Sequence, residues 1–389
     1  MKRIILYLLA FAPLAAFADL PPTGFYRLQN VTTGSYMTIF DNRTSSTASD
    51  IATSGHADLE AIHMLDGFEE NIAFNPATIC YIEAYGAGKY NISGQGLDLH
   101  NMTGRLFSIK EVSSSYQIYA KEESSAVSVT KYLTHPTNRY GKEPYPGIDG
   151  SNKNWNILSV DQSSSQYFGI KPEVSAAGYH WATMYAGFPF MASSSDMKIY
   201  VVKQIDYEKG CAVIEEVTNV SAQTPVLFRC SSATPSDNKL TLLAPGSEGS
   251  KGTTHLVGNY YCNDVNDVGA LYPHRNVIAY DENTMRMLGV DADGKPAFVK
   301  GSADNLVVSV VDGKLYLPAN KAYLKVNSSA PDVLKIMTEA EYEAYVTGIE
   351  QITTSTTDGT KVIYDLQGRR VQAPSKGLYI VNGKKMIIR

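Results

Sequence analysis

Hydrophobic positions in this chain alternate far more often than they recur at helical spacing. Runs of roughly four to eight β-prone residues follow one another between clusters of Gly, Ser, Asn and Thr, the pattern of half-buried strands joined by turns. An echo repeats along the first part of the chain: an aromatic-x-apolar strand, a turn, then a Tyr-x-apolar strand. Cys80-Tyr81-Ile82 leads through Gly86-Ala87-Gly88 to Tyr90-Asn91-Ile92. Phe107-Ser108-Ile109 leads through Ser113-Ser114-Ser115 to Tyr116-Gln117-Ile118, and Trp155-Asn156-Ile157 through Ser163-Ser164-Ser165 to Tyr167-Phe168. The middle residue of each triplet faces away from its neighbours, as one-sided burial requires.

Residues 165–346 carry a second series of strands. Pro189 ends the apolar stretch that begins at Tyr179, because proline cannot donate a ladder bond. Met197–Gln204 reads as a strand. Cys211–Glu216 and Pro225–Cys230 read as a hairpin around Asn219–Gln223, which would bring Cys211 and Cys230 face to face as a disulfide candidate. Asp293-Gly294 and Asp312-Gly313 mark two further hairpin turns. Thr338 followed by Glu341 forms a capping box and predicts a helix from there to Val346. In residues 349–389, Leu378-Tyr379-Ile380-Val381 and Lys385-Met386-Ile387-Ile388 are split by Asn382-Gly383, which suits a type I′ turn because both residues tolerate positive φ. The expected class is all-β.

Residues 1–18 read as a signal peptide. Lys2 and Arg3 precede an apolar stretch, Ala16-Phe17-Ala18 is an A-x-A cleavage site, and Asp19 follows. The apolar run is shorter than the ~20 residues of a spanning helix, so the mature chain is expected to have no transmembrane anchor. The formal charge of −5 is unevenly spread. The last 29 residues hold seven Lys or Arg against Asp365, a net +6, and residues 19–360 carry −13. An acidic body argues against nucleic acid as a partner, whose phosphates require Lys and Arg. Tyrosine outnumbers the other aromatics, 26 against 12 Phe and 2 Trp, which suits strands and exposed binding faces.

The first region, through GFYRLQNVTTGSYMTI (Gly24 to Ile39) and NWNILSV (Asn154 to Val160), resembles a ricin-B-type β-trefoil. That resemblance implies a three-lobed β fold over residues 21–162 and raises glycan as a partner. Lys153-Asn154-Trp155 stands where the family has Gln-x-Trp. The succession of hairpins in residues 165–346 predicts a β-sandwich, and most of residues 167–326, through YFGIKPEV, GYHWATMYAGFPF, IYVVKQI and TPVLFRCSS, resembles a β-rich module of secreted and surface proteins of Bacteroidota. The stretch from Tyr364-Asp365-Leu366-Gln367-Gly368-Arg369-Arg370 through Gly377-Leu378-Tyr379 and Asn382-Gly383 to Arg389 resembles the C-terminal sorting tail of the type IX (Por) secretion family. It implies the secretion machinery as a partner and a place at the cell surface or outside the cell.

Catalytic chemistry has no clear sequence signature here. None of the seven histidines stands at the i, i+4 spacing of a helical zinc site, and H-E-x-x-H and G-x-S-x-G are absent. Asp291-Ala292-Asp293-Gly294 begins like a calcium loop but lacks the closing glutamate. No catalytic residue, cofactor or metal is expected. The leading expectation is a non-enzymatic exported protein that binds glycan. A structural or protein-interaction component of a surface assembly is the alternative, and a secreted hydrolase or its accessory is the third reading.

Overall fold

The computed structural model describes residues 21–39, 56–57, 62–95, 97–99, 106–123, 128–135, 145–147, 152–247, 249, 254–259, 278–309, 313–347, 363–372, 374–381 and 384–388. Ala16, Ala18 and Asp19 of the signal segment lie outside them, as do Cys262, Asp312, Asn382 and Gly383. Strands dominate the described residues, so the class is all-β. The chain divides into two compact units, residues 1–336 and 337–389.

Twelve strands make up the first part of the larger unit. They are β1 (Gly24–Asn30), β2 (Tyr36–Ile39), β3 (His56–Ala57), β4 (Ile62–Leu65), β5 (Cys80–Gly86) and β6 (Lys89–Gly94), then β7 (Leu97–Leu99), β8 (Leu106–Val112), β9 (Ser115–Glu123), β10 (Ser128–Thr134), β11 (Tyr145–Gly147) and β12 (Asn154–Ser159). Six of them close into a ring in the order β1-β5-β6-β8-β9-β12 and back to β1. Outside the ring β2 pairs with β4 and β10 with β11, while β7 pairs with β3 in parallel. Alternation explains the interior. Tyr26, Leu28, Ile82, Tyr90, Ile92, Phe107, Ile118 and Trp155 point inward into one core, and the residues between them point out. Trp155 is fully buried and donates from Nε1 to the Leu133 carbonyl at 2.9 Å.

The rest of the unit is built from β13 (Val174–Ala176), β14 (Tyr179–Met184), β15 (Phe190–Ala192), β16 (Lys198–Asp206), β17 (Cys211–Val217), β18 (Asn219–Val220), β19 (Val226–Cys230) and β20 (Leu240–Leu242). These are followed by β21 (Leu256–Gly258), β22 (Met285–Val290), β23 (Pro296–Val299), β24 (Val307–Val308), β25 (Leu315–Tyr316), β26 (Ala322–Lys325) and β27 (Val333–Thr338). A ten-stranded sheet runs β13-β14-β19-β16-β17-β27-β23-β22-β26-β21. Its middle strands are covered on both faces, which is why Ile199-Tyr200-Val201-Val202 is continuously apolar rather than alternating. Ile199 and Val201 enter one core with Phe190, Phe228 and Leu240, and Tyr200 and Val202 enter another with Trp181, Phe298 and Leu324.

The Cys211–Cys230 pairing expected from the sequence is not what forms. β17 and β19 do not make a hairpin, because β16 lies between them and pairs with both. Cys211 stands opposite Asp206 at the last residue of β16, whereas Cys230 lies beyond Arg229, which stands opposite Lys198 at its first. Both are free thiols, and burial pushes the Cys230 pKa up to about 12.

Arg27 joins the ring to the rest of the unit. It points out of β1 yet is fully buried. Its guanidinium donates to the carbonyls of Gln166 (2.7 Å), Tyr167 (3.0 Å) and Ile72 (3.4 Å) and to Thr78 Oγ1 (3.1 Å). The Phe68 ring lies 5.2 Å from its charge centre. Burial draws its pKa down to about 10, so it remains a cation at neutral pH. Arg286 repeats the device in β22, donating to the carbonyls of Glu282, Met285, Ala330 and Pro331. Truncating Arg27→Ala strands several buried carbonyls, and a loss of roughly 3–5 kcal/mol in urea unfolding is expected. Arg27→Lys recovers only part of it, because an ammonium cannot reproduce the planar fork. A loss near the ~0.5 kcal/mol of an ordinary surface change would remove this role.

Candidate functional site

The outward face of the ring becomes a site where the second part of the unit covers it incompletely. In β1, β5 and β6 the residues between the core positions are Phe25, Tyr81 and Ser93. Register lines them up: Phe25 stands opposite Tyr81, Tyr81 opposite Ser93, Ser93 opposite Asp98 of β7, and Asp98 opposite His56 of β3. The side chains of Phe25, Tyr81, Ser93 and Asp98 therefore share a face and are near neighbours. Facing the row is the segment Gly187-Phe188-Pro189, and between them opens a cleft of about 180 Å³. Phe25 packs between its two walls, with ring centroids 5.0 Å from Tyr81 and 5.9 Å from Phe188.

A chain of carboxamides fixes the cleft walls to each other. Gln95 is buried with a positive φ of 51°. Its Nε2 donates to Asn320 Oδ1 at 2.7 Å, and its Oε1 accepts the Gly187 N–H at 2.8 Å. Asn320 Nδ2 in turn donates to Asn75 Oδ1 at 2.9 Å. A left-handed backbone at a non-glycine residue is costly, and here these bonds hold it.

The polar groups suit a hydroxyl-bearing ligand. Asp98 accepts from Asn91 Nδ2 at 2.7 Å, which orients the carboxylate. Asn91 Oδ1 is buried and has no partner among the described residues. Burial, with a smaller contribution from Glu83, raises the Tyr81 pKa, so its hydroxyl keeps its proton. The row therefore presents an aromatic face, a hydroxyl that can donate or accept, and an acceptor carboxylate. The volume is below the ~300 Å³ at which drug-sized pockets begin, so a ligand would be about one ring in size. Sequence reading did not single out these residues. Their alternation was visible, but the row crosses strands far apart in the chain and includes a parallel pair.

Residues read from the sequence as sites fall elsewhere. In the smaller unit β28 (Ile363–Tyr364), β29 (Gly377–Val381) and β30 (Lys384–Ile388) form a three-stranded antiparallel sheet. Val381 stands opposite Lys384, as a two-residue turn at Asn382-Gly383 requires. Tyr364 pairs with Ile380 and bridges to Arg370, and Tyr379 pairs with Met386. The Asp365–Arg369 stretch is a tight loop. Asp365 Oδ1 accepts the N–H groups of Gln367 (3.0 Å) and Arg369 (2.9 Å), and Oδ2 meets Arg369 Nε at 2.8 Å. Gly368 supplies a φ of 78°, and Leu366 is 58% exposed at the tip. Ahead of this sheet, Thr338 and Glu341 make the expected capping box, with Thr338 N–H donating to Glu341 Oε2 at 2.7 Å, and the helix Glu339–Thr347 follows.

Several carboxylates outside the cleft have structural partners. Glu216 pairs with Lys198 and Glu69 accepts from Tyr167 Oη. Asp291 Oδ1 accepts the N–H groups of Asp293 and Lys295, which makes the Asp293-Gly294 segment a hairpin turn. Among the described residues no group of three His, Cys, Asp or Glu is placed to hold a metal ion, and no helix is long and apolar enough to cross a membrane. Compared with models of known protein families and with curated proteins, the chain matches none.

The loop at Asp365 makes a pH-dependent prediction. Hydrogen bonds from the Arg369 N–H, with the Arg369 side chain and Gln367 N–H adding to it, hold the Asp365 carboxyl below its ordinary value. A depressed carboxylate stabilises the fold above its unfolded pKa of about 3.9 and loses that contribution as pH falls through the folded value. Hydrogen-exchange protection of the Gln367 and Arg369 amides should hold at pH 6 and fall in acid. Asp365→Ala should remove it at every pH, and Asp365→Asn only in part. Protection that ignores both substitutions would show that the carboxylate does not set the loop.

Proposed function

We propose that this is an exported, non-enzymatic protein of the cell surface or surroundings that binds glycan through the cleft beside Tyr81. The observation that carries the proposal is the Tyr81–Ser93–Asp98 row. A sugar ring offers one C–H face to an aromatic ring and hydroxyls to a carboxylate and a serine. The closed six-stranded ring supports the β-trefoil reading of residues 21–162, because its strands fall into three successive pairs, β1 with β5, β6 with β8 and β9 with β12, each pair separated in the chain by one or more outer strands. The apolar cores on both faces of the large sheet support the sandwich reading of residues 165–346. In the row Asp98, not a histidine, neighbours Ser93, an order that favours binding over nucleophilic attack.

Titrating the full chain with a panel of monosaccharides and polyols, by calorimetry or NMR, tests the cleft. Tyr81→Ala and Asp98→Asn should each weaken binding about tenfold or more, the scale of one lost charge-assisted hydrogen bond or ring contact. A folded protein that binds none of the panel, or binds equally after both changes, overturns the proposal.

The tail carries the second half of the reading: export through the signal segment, passage by the sorting machinery, and removal of the tail near residues 348–357. The basic charge, the Asp365–Arg369 loop and the pairing of β29 with β30 support it. Deleting residues 349–389 should leave the product inside the cell envelope, as read by fractionation and surface labelling. Unchanged surface display would end the sorting role.

A further inference from the structure

The outward face of the ring has a second feature, on β6, β8, β9 and β10 rather than at the cleft. Register forms the row Lys89–Ser108–Tyr119–Tyr132, and the next row joins Lys110, Gln117 and Asn154. Tyr119 and Tyr132 lie with ring centroids 5.7 Å apart at 46°, and Lys153 Nζ sits 4.5 Å over the Tyr132 ring. Lys89 Nζ donates to Ser108 Oγ at 3.0 Å, and Gln117 Nε2 to Asn154 Oδ1 at 3.0 Å. Both tyrosines are half-buried, so each keeps part of its ring open, and Lys89 and Lys110 are exposed. Neither row contains an Asp or Glu, and no carboxylate pairs with Lys89, Lys110 or Lys153 among the described residues.

Such a face is at odds with the body around it, which carries −13 over residues 19–360. A surface that gathers lysines around two tyrosines and a pair of carboxamides is complementary to a chain that carries both sugar rings and negative charge. We infer that this face binds an acidic polysaccharide, one bearing uronate or sulfate groups, laid along the Lys89–Tyr132 row. Neighbouring strands lie about 4.8 Å apart, so a row crossing four of them is about 14 Å long and fits a short oligosaccharide segment. The tyrosine rings take the C–H faces of the sugars, one lysine at each end takes the anionic groups, and Gln117 and Asn154 take hydroxyls. The site is separate from the cleft and shares with it only the glycan reading.

Affinity electrophoresis of the full chain through gels containing polygalacturonate, heparin or neutral dextran tests this. The two acidic polymers should retard the protein, dextran should not, and retardation should fall steeply as salt rises, because the contacts are exposed and screened. Lys89→Gln with Lys153→Gln, and separately Tyr119→Ala with Tyr132→Ala, should each reduce retardation at least tenfold while circular dichroism stays unchanged. The cleft changes Tyr81→Ala and Asp98→Asn should leave it intact, so failure of the cleft proposal and failure of this one give different results. No retardation of folded protein by either acidic polymer overturns the inference. So does retardation that survives both face variants, that is lost in the cleft variants, or that duplex DNA reproduces with equal strength.

Discussion

Arg27 is held by backbone carbonyls, a threonine hydroxyl and a phenylalanine ring, with no carboxylate among the partners described for it. Three features of the unit meet at that guanidinium: the first ring strand, the Ile72–Thr78 segment, and the Gln166–Tyr167 segment where the chain leaves the ring. A neutral side chain could fill the space but could not satisfy three carbonyls that converge from separate parts of the sequence. Around this point the apolar layers also run together. Ile79, from the ring part, lies in the core formed mainly by β14, β16 and β19, and Phe25 packs against it. The cleft exists because this joint is tight on one side, at Arg27, and open on the other, at Tyr81 and Asp98.

Local pattern made the all-β class legible, along with most strands, the Asp293-Gly294 turn, the Thr338 capping box and the register around Asn382-Gly383. These depend on alternation, turn chemistry and capping, each confined to a few neighbouring residues. Cys211 and Cys230 lie beyond the reach of such local pattern. Strands near in sequence need not be partners: β16 precedes β17 and β19 and pairs with both. Two-faced burial hid this, because a continuous apolar run such as Ile199–Val202 does not say which neighbours it will have.

The site was less legible than the fold for a related reason. Arg27 reads in the sequence as an ordinary outward residue of an alternating strand, and nothing local says that the outside of that strand will be covered. Tyr81, Ser93 and Asp98 are unremarkable one by one. Only cross-strand register turns them into a row, and the outermost step of that row, from Asp98 to His56, depends on a parallel pairing that short-range turn signals do not encode. The tail motif was the reverse case. Its residues were conspicuous in sequence, and the structure supplies their local reason: Asp365 and Gly368 shape a loop, and Leu366 is what the loop exposes.

Closure of the ring has a consequence for timing. Its last pairing joins Tyr26 to Ser159 and Asn30 to Trp155, so the opening strand waits for residues that follow it by more than a hundred positions. Bringing such distant segments together costs loop-closure entropy before any contact repays it, and folds dominated by such pairings form slowly. Until β12 has been made, β1 lacks the partner on one edge, and Arg27 lacks the carbonyls of Gln166 and Tyr167. The nascent chain therefore stays without its central joint through most of the first part of its synthesis. Through that interval β1 and the core residues it carries stay exposed, so the late strand β12 sets when the ring can close.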